Sequence, residues 1–255
     1  MVSKSEIKYY SALKLKKYRK LEKKFLAEGK RLIDEGLNSN FECDRIFITE
    51  AFKKTESKFI SKISKKKIPI NSIPLYDLLK LCSTKNPQEI VAVFNLKSNN
   101  TKLINAQPVI ALENISDPGN LGTILRTCDW FGIKNVLISK GSAELYNPKV
   151  LRASMGAVFN LNIIDDVILI EELKKLKNKN YLSVIADMKG TNYKRVDWSN
   201  KTVVTFCNEA NGPSEELKEI CDMQITIPKK GKIESLNVAA AAAVIISEFS
   251  NLVFN

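Results

Sequence analysis

Three stretches carry polar residues that a plain turn does not require. They are Asn120 and Arg126 in ALENISDPGNLGTILRTCDWFG (111–132), Asn208, Glu209 and Asn211 in VVTFCNEANGPSEEL (203–217), and Glu234, Ser235 and Asn237 in ITIPKKGKIESLNVAAAAAVII (225–246). Their types bound the chemistry. A guanidinium grips a phosphate through two parallel N–H donors. Amides and hydroxyls hold a sugar or a cofactor by hydrogen bonds, and a carboxylate can orient an arginine. The chain has no histidine, which removes the commonest general base, the Ser-His-Asp and Cys-His arrangements, and most zinc or transition-metal sites. Its five cysteines, at 43, 82, 128, 207 and 221, are scattered and lack CxxC spacing. Reduced thiols are therefore expected, with no disulfide and no metal site. Chemistry at these stretches must use other side chains or a cofactor.

The elements that position these residues follow from periodicity. Each stretch reads strand, polar Gly/Asn-rich loop, helix. Strands are expected at Val109–Leu112, Asn135–Ile138, Val158–Ile163, Leu182–Ala186, Thr202–Phe206 and Gln224–Ile227. Helices are expected at Leu121–Phe131, Pro148–Ala153, Ile170–Lys177, Ser214–Cys221 and Leu236–Asn251. In the first stretch Asp117-Pro118-Gly119 is a turn and Asn120 a cap, with Leu121, Ile124, Leu125 and Cys128 on the buried stripe of the following helix. Ser235 is expected to cap the last helix. Strands alternating with helices predict an α/β fold, a parallel sheet covered on both faces, with all three loops opening at its carboxyl edge. Neither GxGxxG nor a Walker A loop is present, which argues against a dinucleotide-binding dehydrogenase.

The first part of the chain differs in charge. Residues 1–105 hold 23 Lys plus Arg against 11 Asp plus Glu, whereas residues 106–255 hold 17 of each, so the whole excess of +12 lies in the first part. A lysine-rich composition, 34 Lys to 6 Arg, would raise charge throughout; the asymmetry instead points to a polyanion-binding module. A helix over Phe25–Leu37, a strand Arg45–Thr49, a basic helix Thr55–Lys66, an extended Ile68–Ile73, a helix Tyr76–Cys82 and a strand Ile90–Leu96 make a small α/β sandwich. The polar run Lys97–Lys102 has the composition of a linker. The expected division is a domain over 1–100 and another over 106–255. The first twenty residues lack the apolar core of a secretory signal, and the longest apolar run, Val238–Ile246, is too short to span a bilayer. A cytoplasmic location without membrane association is the expectation.

Together the three stretches resemble the SpoU (TrmH-like) family of RNA 2′-O-ribose methyltransferases, within the SPOUT class. The first motif of that family has an Asn in a DPGN-like loop and an Arg on the next helix, the places of Asn120 and Arg126. The second has an Asn-Glu pair and a Gly, matched by Asn208-Glu209 and Gly212. The third reads Ser-Leu-Asn-Val after an Ile-Pro strand end, matched by Ser235 to Val238 after Ile227-Pro228. NPKVLRASMGAVF (147–159) resembles the family's Arg-Ala-Ser-x-Gly segment, and KYRKLEKKFLAEGKRLIDEGL the start of its substrate-binding domain. Two positions depart: Cys207 replaces the usual Gly before Asn-Glu, and Lys229 a frequent Met. Cys207 would either restrict backbone and ligand space or turn into the core as a small hydrophobe.

The resemblance implies a C-terminal parallel sheet with a trefoil knot, preceded by a small RNA-binding domain. It implies S-adenosyl-L-methionine as cofactor, held against the last two motif loops by Cys207, Asn208, Gly212, Ile227 and Leu236, and a homodimer built partly by the last helix. Asn120, Arg126, Glu209, Ser235 and Asn237 are the implied catalytic residues. A guanidinium is a poor proton acceptor, so gripping an RNA phosphate and polarising the ribose hydroxyl suits Arg126 better than acting as a free base. The implied substrate is structured RNA, ribosomal RNA before transfer RNA. A non-catalytic RNA-binding paralogue is the alternative, resting on Cys207.

Overall fold

The computed structural model describes residues 2–97, 102–208 and 212–254. The chain divides into two compact units, Met1–Ser98 with Tyr146–Phe159, and Asn99–Leu145 with Asn160–Asn255. The expected linker lies, apart from its ends Lys97 and Lys102, outside the described residues.

The first unit opens with α1 (Lys4–Ala12), α2 (Lys16–Glu22), β1 (Lys24–Glu28), α3 (Lys30–Leu37) and β2 (Cys43–Ile48). It continues with α4 (Glu50–Thr55), α5 (Ser57–Ser64), β3 (Ile70–Ser72), α6 (Leu75–Leu81) and β4 (Ile90–Asn95). The strand order is β1-β4-β2-β3, with β4 antiparallel to both neighbours and β3 parallel to β2. Leu26, Phe47, Val91 and Val93 pack with Ile7, Tyr10 and Leu13 from the first helix and Leu78 and Leu81 from α6. At the α1–α2 turn the buried Arg19 donates from Nη1 to the carbonyls of Leu13 (2.9 Å) and Lys14 (2.7 Å). Around it Lys16, Lys17, Lys20 and Lys23 are exposed.

One expected helix is corrected here. Phe25–Leu37 is two elements: β1 pairs residue by residue with β4, and α3 begins only after Gly29. Gly29 has φ of +94°, a conformation L side chains rarely adopt, so no helix runs through it. The apolar run Phe25-Leu26-Ala27 is buried as strand, and tertiary pairing overrides the local helical pattern.

The second correction concerns the segment between the strands Asn135–Ser139 and Asn162–Val167. Helix α8 (Pro148–Ser154) forms as expected, but the strand expected over Val158–Ile163 begins only at Asn162, because α9 (Ala157–Asn160) occupies its start. The segment Tyr146–Phe159 packs in the first unit rather than with residues 106–255: Tyr146 lies 4.6 Å from the Phe25 ring and Phe159 lies 5.2 Å from Phe94. Arg152 Nη1 donates to Ser83 Oγ at 2.6 Å. A short apolar run does not distinguish strand from buried helix, and here an aromatic cluster decided it.

The second unit runs through β5 (Val109–Glu113), α7 (Pro118–Trp130), β6 (Asn135–Ser139), β7 (Asn162–Val167), α10 (Leu169–Lys177) and β8 (Leu182–Asn192). It ends with β9 (Thr202–Cys207), α11 (Glu215–Ile220), β10 (Met223–Thr226) and α12 (Val238–Phe254). All six strands are parallel, in the order β10-β8-β9-β5-β6-β7. The expected α/β fold with a parallel sheet is what forms. Val109, Ala111, Val203 and Cys207 pack with Leu169, Leu173 and Leu176 of α10 and Leu217 of α11. Helices α7 and α12 pack on one another, and Phe249 of α12 lies 4.8 Å from Trp198. Among the described residues no helix is long and apolar enough to cross a membrane.

Candidate active site

Strands β5 and β9 are neighbours whose connections leave in opposite directions: β5 leads through α7 to β6, and β9 through α11 to β10 beyond β8. Open parallel sheets bind ligands at the carboxyl side of such a switch point. The three polar loops all open there.

The first loop is built outward from the end of β5. Asn114 has φ of +54°, and its N–H donates to Ser139 Oγ (2.8 Å), while Ile115 N–H donates to Ser142 Oγ (3.1 Å). Ser139, which ends β6, and Ser142 just beyond it thus support the turn that leads into α7. That helix begins three residues earlier than its expected start, because Asp117, not Asn120, is the cap. Its carboxylate accepts from Asn120 N–H at 2.8 Å, and Pro118 fills the first helical position, where no N–H is needed. Asn120 is thereby left with its side chain for other partners.

One such partner comes from the third motif. Asn237 Nδ2 donates to Asn120 Oδ1 at 3.0 Å. Asn237 Oδ1 meanwhile accepts from the N–H groups of Ala239 (2.9 Å) and Ala240 (3.3 Å) at the start of α12. Asn237, not Ser235, therefore caps the last helix, which starts at Val238. Ser235 and Leu236 are exposed ahead of it, and Ile227 is half-buried just beyond β10.

The second motif is tied to the first. Asn208 N–H donates to the Glu113 carbonyl (3.1 Å), and its Nδ2 donates to the Asn114 carbonyl (3.0 Å) and Ser116 Oγ (3.2 Å). Gly212 N–H returns to the Asn208 carbonyl at 2.9 Å. Gly212 has φ of +62°, and a Cβ built there would meet nothing within 4 Å. Its glycine thus serves a left-handed turn and leaves bare backbone facing open space. Glu209 and Asn211 lie outside the described residues.

Cys207 resolves the alternatives posed by its departure from glycine. It continues the extended backbone of β9 and is buried in the core cluster with Leu217 and Leu173. Burial pushes its thiol far above the usual range, and the nearby carboxylate of Glu113 pushes it the same way. It is a small protonated hydrophobe, not an edge residue.

Arg126 stands apart. It is exposed on α7, two turns beyond the cap, and among the described residues no hydrogen bond or ion pair engages its guanidinium. One turn further, Trp130 is 82% exposed. The structure therefore joins Asn120, Asn208 and Asn237 to one framework and leaves Arg126 at its margin. The residues that hold the loops, Glu113, Ser116, Ser139, Ser142 and Ser214, escape sequence reasoning. Only Glu113 has a local signal, an acid closing the apolar strand VIALE. Among the described residues no group of His, Cys, Asp and Glu could hold a metal ion.

Comparison with known proteins agrees with this geometry. Residues 107–247 match the model of the SpoU rRNA methylase family, and residues 4–92 that of the MRM3-like substrate binding domain. The 23S rRNA (guanosine(2553)-2′-O)-methyltransferase RlmP of Bacillus subtilis is 30% identical over 248 residues, covering 94% of each chain. A TrmH-family protein from Porphyromonas gingivalis has the same fold with a TM-score of 0.87 and 30% identity over 98% of each chain. The SpoU methyltransferase AviRb from Streptomyces viridochromogenes, solved with AdoMet, superposes with a TM-score of 0.88 at 22% identity over 98% of each chain, a likeness of fold alone. The chain belongs to the SpoU rRNA methylase family.

Proposed function

We propose that this chain transfers a methyl group from S-adenosyl-L-methionine to a ribose 2′-hydroxyl of structured RNA, with ribosomal RNA preferred over transfer RNA. The observation that carries the reading is the bonding of three motif loops into one framework, Asn237 to Asn120 and Asn208 to Asn114 and Ser116. The residues present fit the cofactor. Gly212 offers bare backbone beside open space, the loops supply neutral amides suited to a nucleoside and an amino acid, and Cys207 is buried away in the core. Asn208, Gly212, Ile227 and Leu236 would hold it, largely through backbone groups, with Cys207 shaping the strand end beneath.

When bound, the cofactor supplies an electrophilic methyl group. The protein's part is to place the acceptor in line and ease departure of its proton. Arg126, exposed on α7, grips an RNA phosphate with two donors and polarises the hydroxyl. Asn120 and Asn237, locked to each other, and Ser235 orient ribose, and Glu209 orients Arg126. The first unit supplies RNA affinity through its exposed lysines. The functional form is a homodimer, since Trp130 on α7 and Val244 and Leu252 on α12 leave large apolar side chains exposed that a second copy would cover.

Incubating the chain with radiolabelled S-adenosyl-L-methionine and separate ribosomal and transfer RNA tests this. Label is expected in ribosomal RNA as an alkali-resistant dinucleotide. Cofactor binding with no transfer to either RNA would instead identify a non-catalytic paralogue, and label confined to transfer RNA would reassign the substrate.

A further inference from the structure

We infer that Glu113 is a positioning residue for cofactor binding, acting through Ser214 to set the segment that carries Asn208 and Gly212. The inference rests on assigning that segment to S-adenosyl-L-methionine. Glu113 closes β5 after four apolar residues and is only 8% exposed. Its carboxylate accepts from Ser214 Oγ at 2.7 Å and Ser214 N–H at 3.2 Å. Its own carbonyl accepts from Asn208 N–H at 3.1 Å. Both ends of the connection from β9 to α11 are thus bonded to one residue of the neighbouring strand.

A carboxylate so far from water is a poor choice for stability alone. Its desolvation is costly, and an apolar side chain at a strand end packs without that cost. What the carboxylate adds is direction. Two oxygens accept from Ser214 N–H and O–H together, which fixes Ser214 in position and orientation rather than merely in proximity. Ser214 Oγ also accepts from Leu217 N–H at 3.3 Å, so the same serine starts α11. Gly212 lies two residues before it, with its N–H on the Asn208 carbonyl. A shift of Ser214 therefore moves the backbone groups that would meet the cofactor.

The test measures S-adenosyl-L-methionine binding to the full chain by calorimetry, with melting temperature and steady-state kinetics in parallel. Glu113→Gln puts an amide donor where Ser214 N–H and O–H already donate. Its Kd is expected to rise at least tenfold, with KM for the cofactor rising in step and kcat at saturation within twofold. Ser214→Ala, which removes an exposed hydroxyl together with the α11 cap, should weaken binding likewise, whereas Ser214→Thr, which keeps the hydroxyl, should bind as the unaltered chain does. The double variant Glu113→Gln/Ser214→Ala should be no worse than the weaker single. Leu173→Ala, in the core of the same unit, should lower the melting temperature without changing Kd. A Ser214→Ala or Glu113→Gln protein that loses only melting temperature and keeps its Kd overturns the inference. An unaltered chain that binds no S-adenosyl-L-methionine overturns the reading of the site, and the inference with it.

Discussion

The two units of this chain invest their polar residues differently. In the first, charge lies outside: Lys16, Lys17, Lys20 and Lys23 are exposed around a turn that buried Arg19 braces from within. Its core is apolar and aromatic, with Phe25, Phe94 and Phe159 as neighbours. Over residues 106–255 net charge cancels, and the significant polar groups of the second unit are neutral amides and hydroxyls bonded to one another where the strands end. Exposed lysines act at range, weakly and without geometry, and are screened by salt. Interlocked amides act only at close quarters, but with direction. A fold that must first attract a polyanion and then align one hydroxyl needs both kinds.

The contrast makes Arg126 the position with the largest expected effect, because the proposed role uses this cation of the second unit for direction rather than range. Arg126→Lys keeps the charge and loses the planar fork. Methyl transfer should fall by about a hundredfold, the scale of losing one aligned donor in a transition state, while cofactor affinity stays within twofold. Single-turnover rates with saturating RNA measure it. A near-normal rate for the Lys variant would mean that Arg126 acts as a plain charge, like the lysines of the first unit.

Next in size is a paired neutralisation. Replacing Lys16, Lys17, Lys20 and Lys23 by Gln should weaken RNA binding about tenfold or more at low salt and flatten its salt dependence, by roughly 0.7–0.9 in slope for each RNA phosphate that the protein no longer neutralises. The same exchange at Lys174, Lys175, Lys179 and Lys201 should change neither. Substitution is preferable to deletion of residues 1–105, because Tyr146 and Phe159 would lose Phe25 and Phe94. Filter binding at two salt concentrations reads the result, and equal slopes for the two quadruple variants would remove the distinction between the units.

Smaller effects test the amide framework. Asn237→Ala removes both the helix cap and the bond to Asn120, and should cost about 1–2 kcal/mol in urea unfolding, together with weaker cofactor binding. Cys207→Gly should cost about 1 kcal/mol or more, from backbone freedom in a strand and a small cavity beside Leu217, with an unchanged Kd for S-adenosyl-L-methionine. Tighter binding by the Gly variant would show that Cys207 does restrict the ligand side.

What the sequence by itself determined is the local grammar. The strands Val109–Glu113, Asn135–Ser139 and Thr202–Cys207 were legible as apolar runs of β-branched residues, and α7 as a turn followed by a helical apolar stripe. Strand-loop-helix repetition placed three polar loops at one edge, because the carboxyl ends of parallel strands all lie at the same edge of the sheet. The charge asymmetry was plain in the composition. Cap identities were missed by a few residues: Asp117 and Asn120, like Ser235 and Asn237, are all competent caps, and only the backbone path selects one. Everything that joins distant residues belonged to tertiary structure. The Asn237–Asn120 bond spans 117 positions and the Ser214–Glu113 bond 101, and no local pattern encodes such a pairing. The membership of Tyr146–Phe159 in the first unit was decided by which aromatic cluster could bury it. The burial of Cys207 was decided by strand register, since a side chain on a strand faces the core or the opposite side according to position alone.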